Sequence, residues 1–295
     1  MKLRGYGEDR LVTELLRDLT RGKKVIVGAG DDCAVLGRRS DRVWQLLKTD
    51  CVVEGIHFRP DEDRRRVGWK ALARALSDIA AMGGEPHHAL ITVAISAESD
   101  VRELKAIYAG LNKCARRFGV GIVGGETSRS PGPLFLSIAM TGEVKKGRCV
   151  LRSGGKAGDE LFVTGRLGGS ISGRHLDFVP RLKEAQWLTK NYRLHAMMDL
   201  SDGLGADLPR LASASGVGFE IDESSLPIGR GTTIPSAMSD GEDYELLFAV
   251  APRDSEKLQR AWRRKFPKLP LTRVGRLCSL ATPRKAKRSG FDHFA

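Results

Sequence analysis

Two rhythms of apolar residues run through the chain. Short apolar runs that end at glycine or at an acid read as strands. VIVGAGDDCAVL is broken at Gly28 and Gly30, where the chain turns; VWQLLKTDCVVEG reads as one or two strands around Thr49 and Asp50, and HALITVAI, VGIVGGET and LFLSIAMTGEV follow. Helical spacing alternates with these runs. Glu8 to Leu19 reads as a short amphipathic helix. Val67, Ala71, Leu72, Ala75, Leu76 and Ile79 predict a helix over 66–82 with Asp78 in its last part, and a third helix over Val101 to Phe118 is stopped by Gly119.

A second cycle begins at Gly154. GDELFVTG reads as a strand entering the glycine-rich RLGGSISG, followed by a helix around Leu182 to Lys190. MMDLSDGLGADLPRLASASG reads as a turn with acids that opens a helix stopped by Gly216, and GFEIDESSLPI, DGEDYELLFAV and LPLTRVGRL supply strands. Both halves alternate strands with helices, which predicts an α+β protein with domains over 1–147 and 148–295. The length of 295 residues agrees with two domains of about 150 residues each.

Composition narrows the class. The 34 glycines imply many tight turns. Lys and Arg number 49 against 36 acids, a formal charge of +13 that favours polyanions in general. The basic residues are dispersed, with concentrations at Arg64 to Arg66, Arg263 to Lys265 and PRKAKR, and neither an RNA-recognition motif nor zinc-finger ligands accompany them. A solvated basic surface is therefore expected, with no specific nucleic-acid site. Ala89 to Ile95 and Leu246 to Val250 fall far short of the roughly 18 apolar residues that span a bilayer, and MKLRGYGEDR has no apolar signal core, so no membrane association and a cytoplasmic location are expected. The five cysteines form no C-x-x-C pair, which fits reduced thiols.

Asp31, Asp32, Asp50, Asp78, Glu126, Asp199 and Asp202 are acids spread along the chain, most of them beside Gly, Ser or Thr at the edge of an apolar segment. Each alone reads as a turn former or helix cap. Together they can deliver several oxygen ligands to one end of a sheet, a set that suits the Mg²⁺ of a nucleotide. No P-loop and no protein-kinase motif set occurs, and GRLGGSISG lacks dinucleotide-loop spacing.

GAGDDCAVL, TDCVVEGIHF, LSDIAAMGGEP, IVGGETSR, LRSGGKAGDELFVTG, MDLSDGL, DGEDYELLF and GFDHF appear in that order across the whole chain. In this the sequence resembles the thiamine-monophosphate kinases, of the aminoimidazole-ribonucleotide-synthetase-like ATP-binding superfamily. The resemblance implies a two-domain fold: an N-terminal domain that binds ATP and metal and pairs across a homodimer, and a C-terminal α/β sandwich that completes the cleft. It implies phosphorylation of thiamine monophosphate by ATP with several Mg²⁺ ions. Asp32, Thr49, Asp50, Asp78, Glu126, Asp199 and Asp202 would hold metal; Gly125, Glu126, Arg152 and Ser201 would contact ATP. His57, Glu242 and Phe291 would line the thiamine-phosphate pocket, and Asp78, Asp202 and Arg152 would carry the catalysis. The alternatives are another ATP-dependent enzyme of the superfamily and a non-catalytic basic binding protein.

The chain departs from the family pattern at several places. Lys48 stands where Ser or Thr is usual, placing a cation near the expected metals or, if it snorkels along the strand, at the surface. Glu126 replaces Asp, Asp240 replaces Gly, and the region from Gly173 to Arg181 is shortened.

Overall fold

The computed structural model describes residues 3, 6–20, 22–280 and 290–291. After helix α1 (Glu8–Arg17), strands β1 (Val25–Val27), β2 (Ala34–Leu36), β3 (Val43–Val53), β4 (Glu85–Ile95), β5 (Gly121–Arg129) and β6 (Phe135–Lys145) form one sheet in the order β1-β2-β3-β6-β4-β5. The long apolar run around Thr49 is a single strand, β3. Only β4 and β5 run parallel, and the return between them is made by helix α3 (Val101–Phe118), because parallel neighbours require a crossover.

Helix α2 (Arg64–Ala81) joins β3 to β4. Asp63 caps it by accepting from the backbone N–H of Arg65. Fourteen of its 18 residues are buried, the condition of a helix enclosed on every side rather than laid on a surface. It packs on β3 and β6, against α3, and against the second half of the chain. Gly68 and Gly110 let α2 and α3 approach closely: a Cβ on either would come within about 2 Å of a carbonyl oxygen of the other helix.

The second sheet comprises β7 (Glu160–Thr164), β8 (Leu194–Asp199), β9 (Gly218–Ile221), β10 (Leu246–Val250) and β11 (Leu271–Cys278), antiparallel in the order β8-β10-β7-β11-β9. Helices α4 (Leu182–Asn191), α5 (Leu204–Ala214), α6 (Ile234–Ser239) and α7 (Pro252–Lys265) accompany it. One buried cluster is shared by the two halves, joining Leu46, Leu72 and Leu76 to Leu188, Phe248 and Trp262. A second cluster lies between the sheet and α5 and α6, with Leu161, Leu204, Leu208 and Ala237.

Three elements differ from the pattern reading, one of them the short helix α6, which has no counterpart in it. Leu194–Asp199, read as the approach to a turn, is strand β8; its Leu, Ala and Met residues carry little strand preference, and pairing with β10 decides the conformation. Helix α7 has no counterpart in the pattern reading. It is strongly polar, and only Ser255, Leu258 and Trp262 are buried along one narrow stripe. No helix among the described residues is long and apolar enough to cross a membrane, and all five cysteines are free thiols. The segment PRKAKR and Asp292, His293 and Phe294 of GFDHF lie outside the described residues.

Candidate active site

Along the otherwise apolar α2, Lys70, Arg74, Ser77 and Asp78 follow one another at helical spacing and share a face. Asp78 and Lys70 are about 12 Å apart along the axis at 1.5 Å per residue. Each end of this stripe organises a different cluster.

At the Asp78 end, three acids from distant parts of the chain converge. Asp32 comes from the turn between β1 and β2, Asp78 from α2 and Asp199 from the end of β8; one oxygen of each lies within 4.8 Å of the others, and all three are buried. Arg152 donates to Asp32 Oδ1 through Nε at 3.0 Å and Nη2 at 2.5 Å, while Asp32 Oδ2 is buried with no hydrogen-bond partner. Lys48 Nζ lies 2.6 Å from Asp78 Oδ1, and the Ser77 hydroxyl donates to Asp199 Oδ2 at 2.5 Å. Burial, then Asp32, pushes the Asp199 carboxyl up to about 6. Asp31 accepts from the backbone N–H of Arg152 at 3.1 Å; burial and the charge of Asp32 push it up to about 6 as well. Burial opposes the charge of Lys48, but Asp78 and Asp50 outweigh it and hold the ammonium protonated.

This donor set fits a hard divalent cation: three buried carboxylates close together, and one buried oxygen left without a hydrogen-bond partner.

At the Lys70 end the balance reverses. A cavity of about 210 Å³ is lined by His57, Phe58, Arg74, Glu242, Tyr244 and Phe291, with Ser201, Asp202 and Asp240 also on its wall. Glu242 meets Lys70, His175 Nδ1 at 2.7 Å and Arg74 at 3.7 Å. Burial opposes its charge, yet His175, Lys70 and Arg74 prevail and lower its pKa to about 2. Lys70 also donates to the carbonyl of His57, and desolvation lowers its pKa to about 8. Arg74 donates to Asp50 Oδ2 at 3.2 Å and so ties this cluster to β3. Arg74 Nη1 and Tyr244 Oη are buried without hydrogen-bond partners.

The backbone that carries Glu242 is unusual. Glu242 and Tyr244 have φ of 55° and 51°, a left-handed conformation that side chains rarely adopt. Hydrogen bonds from Glu242 N to Ser201 O at 2.6 Å and from Tyr244 N to Leu200 O at 2.8 Å hold it there. Strain of this kind, kept by its surroundings, marks functional sites.

Asp32, Asp78, Asp199 and Arg152 thus come together, as do His57, Glu242, Phe291, Ser201 and Asp202 on the pocket. Asp202 is paired with Arg210 instead of joining the three acids. The Thr49 side chain is exposed on the sheet face opposite Lys48 and Asp50, because neighbouring residues of a strand alternate. Gly125 and Glu126 sit on the exposed strand β5; Asp50, Ile138, Ile91 and Gly125 form one row, which places β5 about 14 Å from β3 at ~4.8 Å per strand. The structure brings neither Thr49 nor Glu126 to the triad.

Lys70, Arg74, Ser77, His175 and Tyr244 are residues that the motif reading passed over. A signal for two of them is present: Lys70 and Arg74 form a single stripe with Asp78 in a helix that is otherwise largely apolar beyond its first turn. The shortened 173–181 region is part of the pocket wall, since His175 meets Glu242, Phe178 stacks on Tyr244 at 4.0 Å and Arg181 pairs with Glu245. Asp240 accepts from the backbone N–H of Gly169 at 3.0 Å.

Comparison with known proteins agrees over both halves. Residues 30–144 match the family model of the AIR synthase related protein, N-terminal domain, and 173–278 that of the C-terminal domain. The thiamine-monophosphate kinase of Rhodopirellula baltica is 39% identical, covering 89% of this chain and 87% of its own; that of Bacillus subtilis is 33% identical over 85% of each. Among solved structures, AaThiL complexed with AMPPCP and TMP superposes with a TM-score of 0.85 at 30% identity, covering 99% of both chains. The chain belongs to the thiamine-monophosphate kinase family of AIR synthase related proteins.

Proposed function

We propose that the chain transfers the γ-phosphoryl group of ATP directly and in line to the phosphate of thiamine monophosphate, releasing ADP and thiamine diphosphate, in the cytoplasm. The observation that carries this reading is the opposed chemistry at the two ends of α2. Asp32 Oδ2 is an unpartnered acceptor at one end; at the other, Tyr244 Oη is an unpartnered group able to donate, and Arg74 Nη1 makes only a 3.7 Å ion pair with Glu242 and no hydrogen bond. The first suits a metal and the second a phosphate. The relatives' names and the AMPPCP and TMP carried by AaThiL support the same substrates.

Asp32, Asp78 and Asp199 would hold Mg²⁺, which when bound neutralises phosphate charge during the transfer. The chain's own groups do the rest. The acceptor is an anionic phosphate oxygen, so no strong base is required; the obstacle is the approach of two polyanions. Arg74 and Tyr244 bind and orient the acceptor phosphate. Phe291 offers a ring face to the cationic thiazolium or to the pyrimidine, beside the ionised Glu242 and His57. Arg152, Ser201 and the Gly125–Glu126 segment are assigned to the nucleotide, Asp50 stands near the metal site, and Asp202 lies on the pocket wall.

A homodimer belongs to the same reading. Val43, Leu47 and Leu90 are exposed on the sheet face turned away from α2, a surface that a second copy would cover. The division at residue 147 into a nucleotide- and metal-binding half and a half that completes the cleft follows from the same assignment.

Incubation of the purified chain with γ-labelled ATP, MgCl₂ and thiamine monophosphate tests the reaction. Labelled thiamine diphosphate and ADP are expected in equal amounts. ADP release that requires a different acceptor, or none, overturns the reading.

A further inference from the structure

Lys48 stands inside the acidic triad. On β3 its side chain faces α2, its Nζ lies 2.6 Å from Asp78 Oδ1, and the side chain is only 21% exposed. It does not reach along the strand to solvent. Three carboxylates meet here and two cations touch them: Lys48 holds Asp78, Arg152 holds Asp32, and Asp199 receives only the neutral Ser77 hydroxyl. Formal charges leave the triad at −3 + 2 = −1. The one buried oxygen of the triad without a hydrogen-bond partner is Asp32 Oδ2.

We infer that Lys48 is a tethered cation that fills one of the cation positions of the triad, so that the triad takes up one divalent ion fewer than its carboxylates could hold. The inference rests on the triad being the metal site of the proposed kinase. An ammonium at hydrogen-bond distance from Asp78 supplies the neighbouring carboxylates with positive charge that never dissociates. It also excludes a hydrated cation from the same oxygen by volume and by repulsion. Beyond the Asp78 oxygen that Lys48 holds, the triad keeps Asp32 Oδ2, which has no hydrogen-bond partner, for a dissociable ion.

Replacing Lys48 by Ser removes the charge and opens that volume. Mn²⁺ binding, counted by electron paramagnetic resonance without nucleotide, is expected to rise by one ion per chain in Lys48→Ser, with affinity about tenfold tighter than in the parent. The thermal unfolding midpoint of the variant is expected to fall in EDTA and to recover in Mn²⁺, whereas the parent's midpoint moves less. Lys48→Ala should behave in the same way. Equal ion counts and equal affinities in parent and variants overturn the inference. So does a failure of both variants to fold that no Mn²⁺ concentration rescues, because an ion able to take the ammonium's place would restore the fold. Thiamine monophosphate phosphorylation by the parent is measured in parallel: activity with unchanged ion counts rejects only the role of Lys48, and absence of activity rejects the kinase reading instead.

Discussion

The triad and the pocket are built on one helix, yet they solve opposite electrostatic problems. At Asp78 the acids exceed the bases, Asp199 is pushed up to about 6, and an acceptor oxygen is left unpaired. Around Glu242 the cations Lys70 and Arg74, with His175, gather on a single carboxylate and lower it to about 2, and the Tyr244 hydroxyl is left without a partner. Burial opposes the charge at both: at Asp199 it prevails, with Asp32 adding to it, whereas at Glu242 the contacts with His175, Lys70 and Arg74 outweigh it. A helix enclosed on all sides can hold both clusters because the shared core fixes their separation.

The sharpest way to break this contrast is Asp199→Asn. It removes a charge that burial already disfavours and keeps an oxygen to accept from Ser77, so the melting temperature should hold or rise. Phosphoryl transfer should fall by roughly 10³-fold, the scale of losing one group that stabilises transition-state charge. Steady-state rates beside calorimetry check it, and a variant as active as the parent would place the chemistry elsewhere.

Tyr244→Phe probes the other end. Because the hydroxyl is buried and unpartnered, its loss should leave stability unchanged or slightly raised. A hydrogen bond to a charged ligand is worth about 1.5–3 kcal/mol, so KM for thiamine monophosphate should rise by roughly 10- to 150-fold. Equal KM values would show that Tyr244 does not meet the acceptor.

Phe291→Ala should have a smaller effect. The ring is 44% exposed, so little core packing is lost. Removing a ring–cation contact worth about 0.5–2 kcal/mol should raise KM by up to ~30-fold with kcat little changed. A fall in kcat at constant KM would contradict a binding role.

The last contrast lies in the pH dependence of two neighbours. Burial pushes Asp243 up to about 7, against Gly168 N–H and Arg174, while Glu242 is lowered. Between pH 4 and 7 the folded Asp243 holds a proton that the unfolded chain has released, so this group makes stability fall as pH rises through that window. Glu242 acts in the opposite sense: its contribution is present above about 4.5 and is lost as pH falls toward 2. Asp243→Asn should therefore flatten the decline between pH 4 and 7 by at most ~1.4 kcal/mol per pH unit. Denaturant unfolding across that range reads the slope, and superimposable parent and variant curves would remove Asp243 as its source.

Much of this was legible in the order of residues. The rhythm of β3, α2, β4, α3, β5 and β6 is local, because short apolar runs alternate with helical spacing and turn or stopping residues such as Gly119, left-handed at φ 71°, separate them. The acids stand near the edges of apolar segments, which groups Asp32, Asp78 and Asp199 together with Asp31, Asp50, Glu126 and Asp202 and leaves the structure to select the three that meet. Strand β8 and helix α7 were not legible, since Met and Ala favour no strand and α7 buries too narrow a stripe.

The sequence by itself determined the class of fold, the family and the residue types able to do phosphoryl chemistry, since periodicity and motif order are properties of neighbours along the chain. Only the tertiary structure decided which acids meet. Asp32 and Asp199 are 167 positions apart in the numbering and join because both sheets close on α2, while Glu126 is held away by intervening strands and Thr49 by the alternation of β3. It also decided the direction in which Lys48 points. A strand position facing α2 sets its ammonium beside a buried carboxylate, where a cation is stabilised by charge rather than by water.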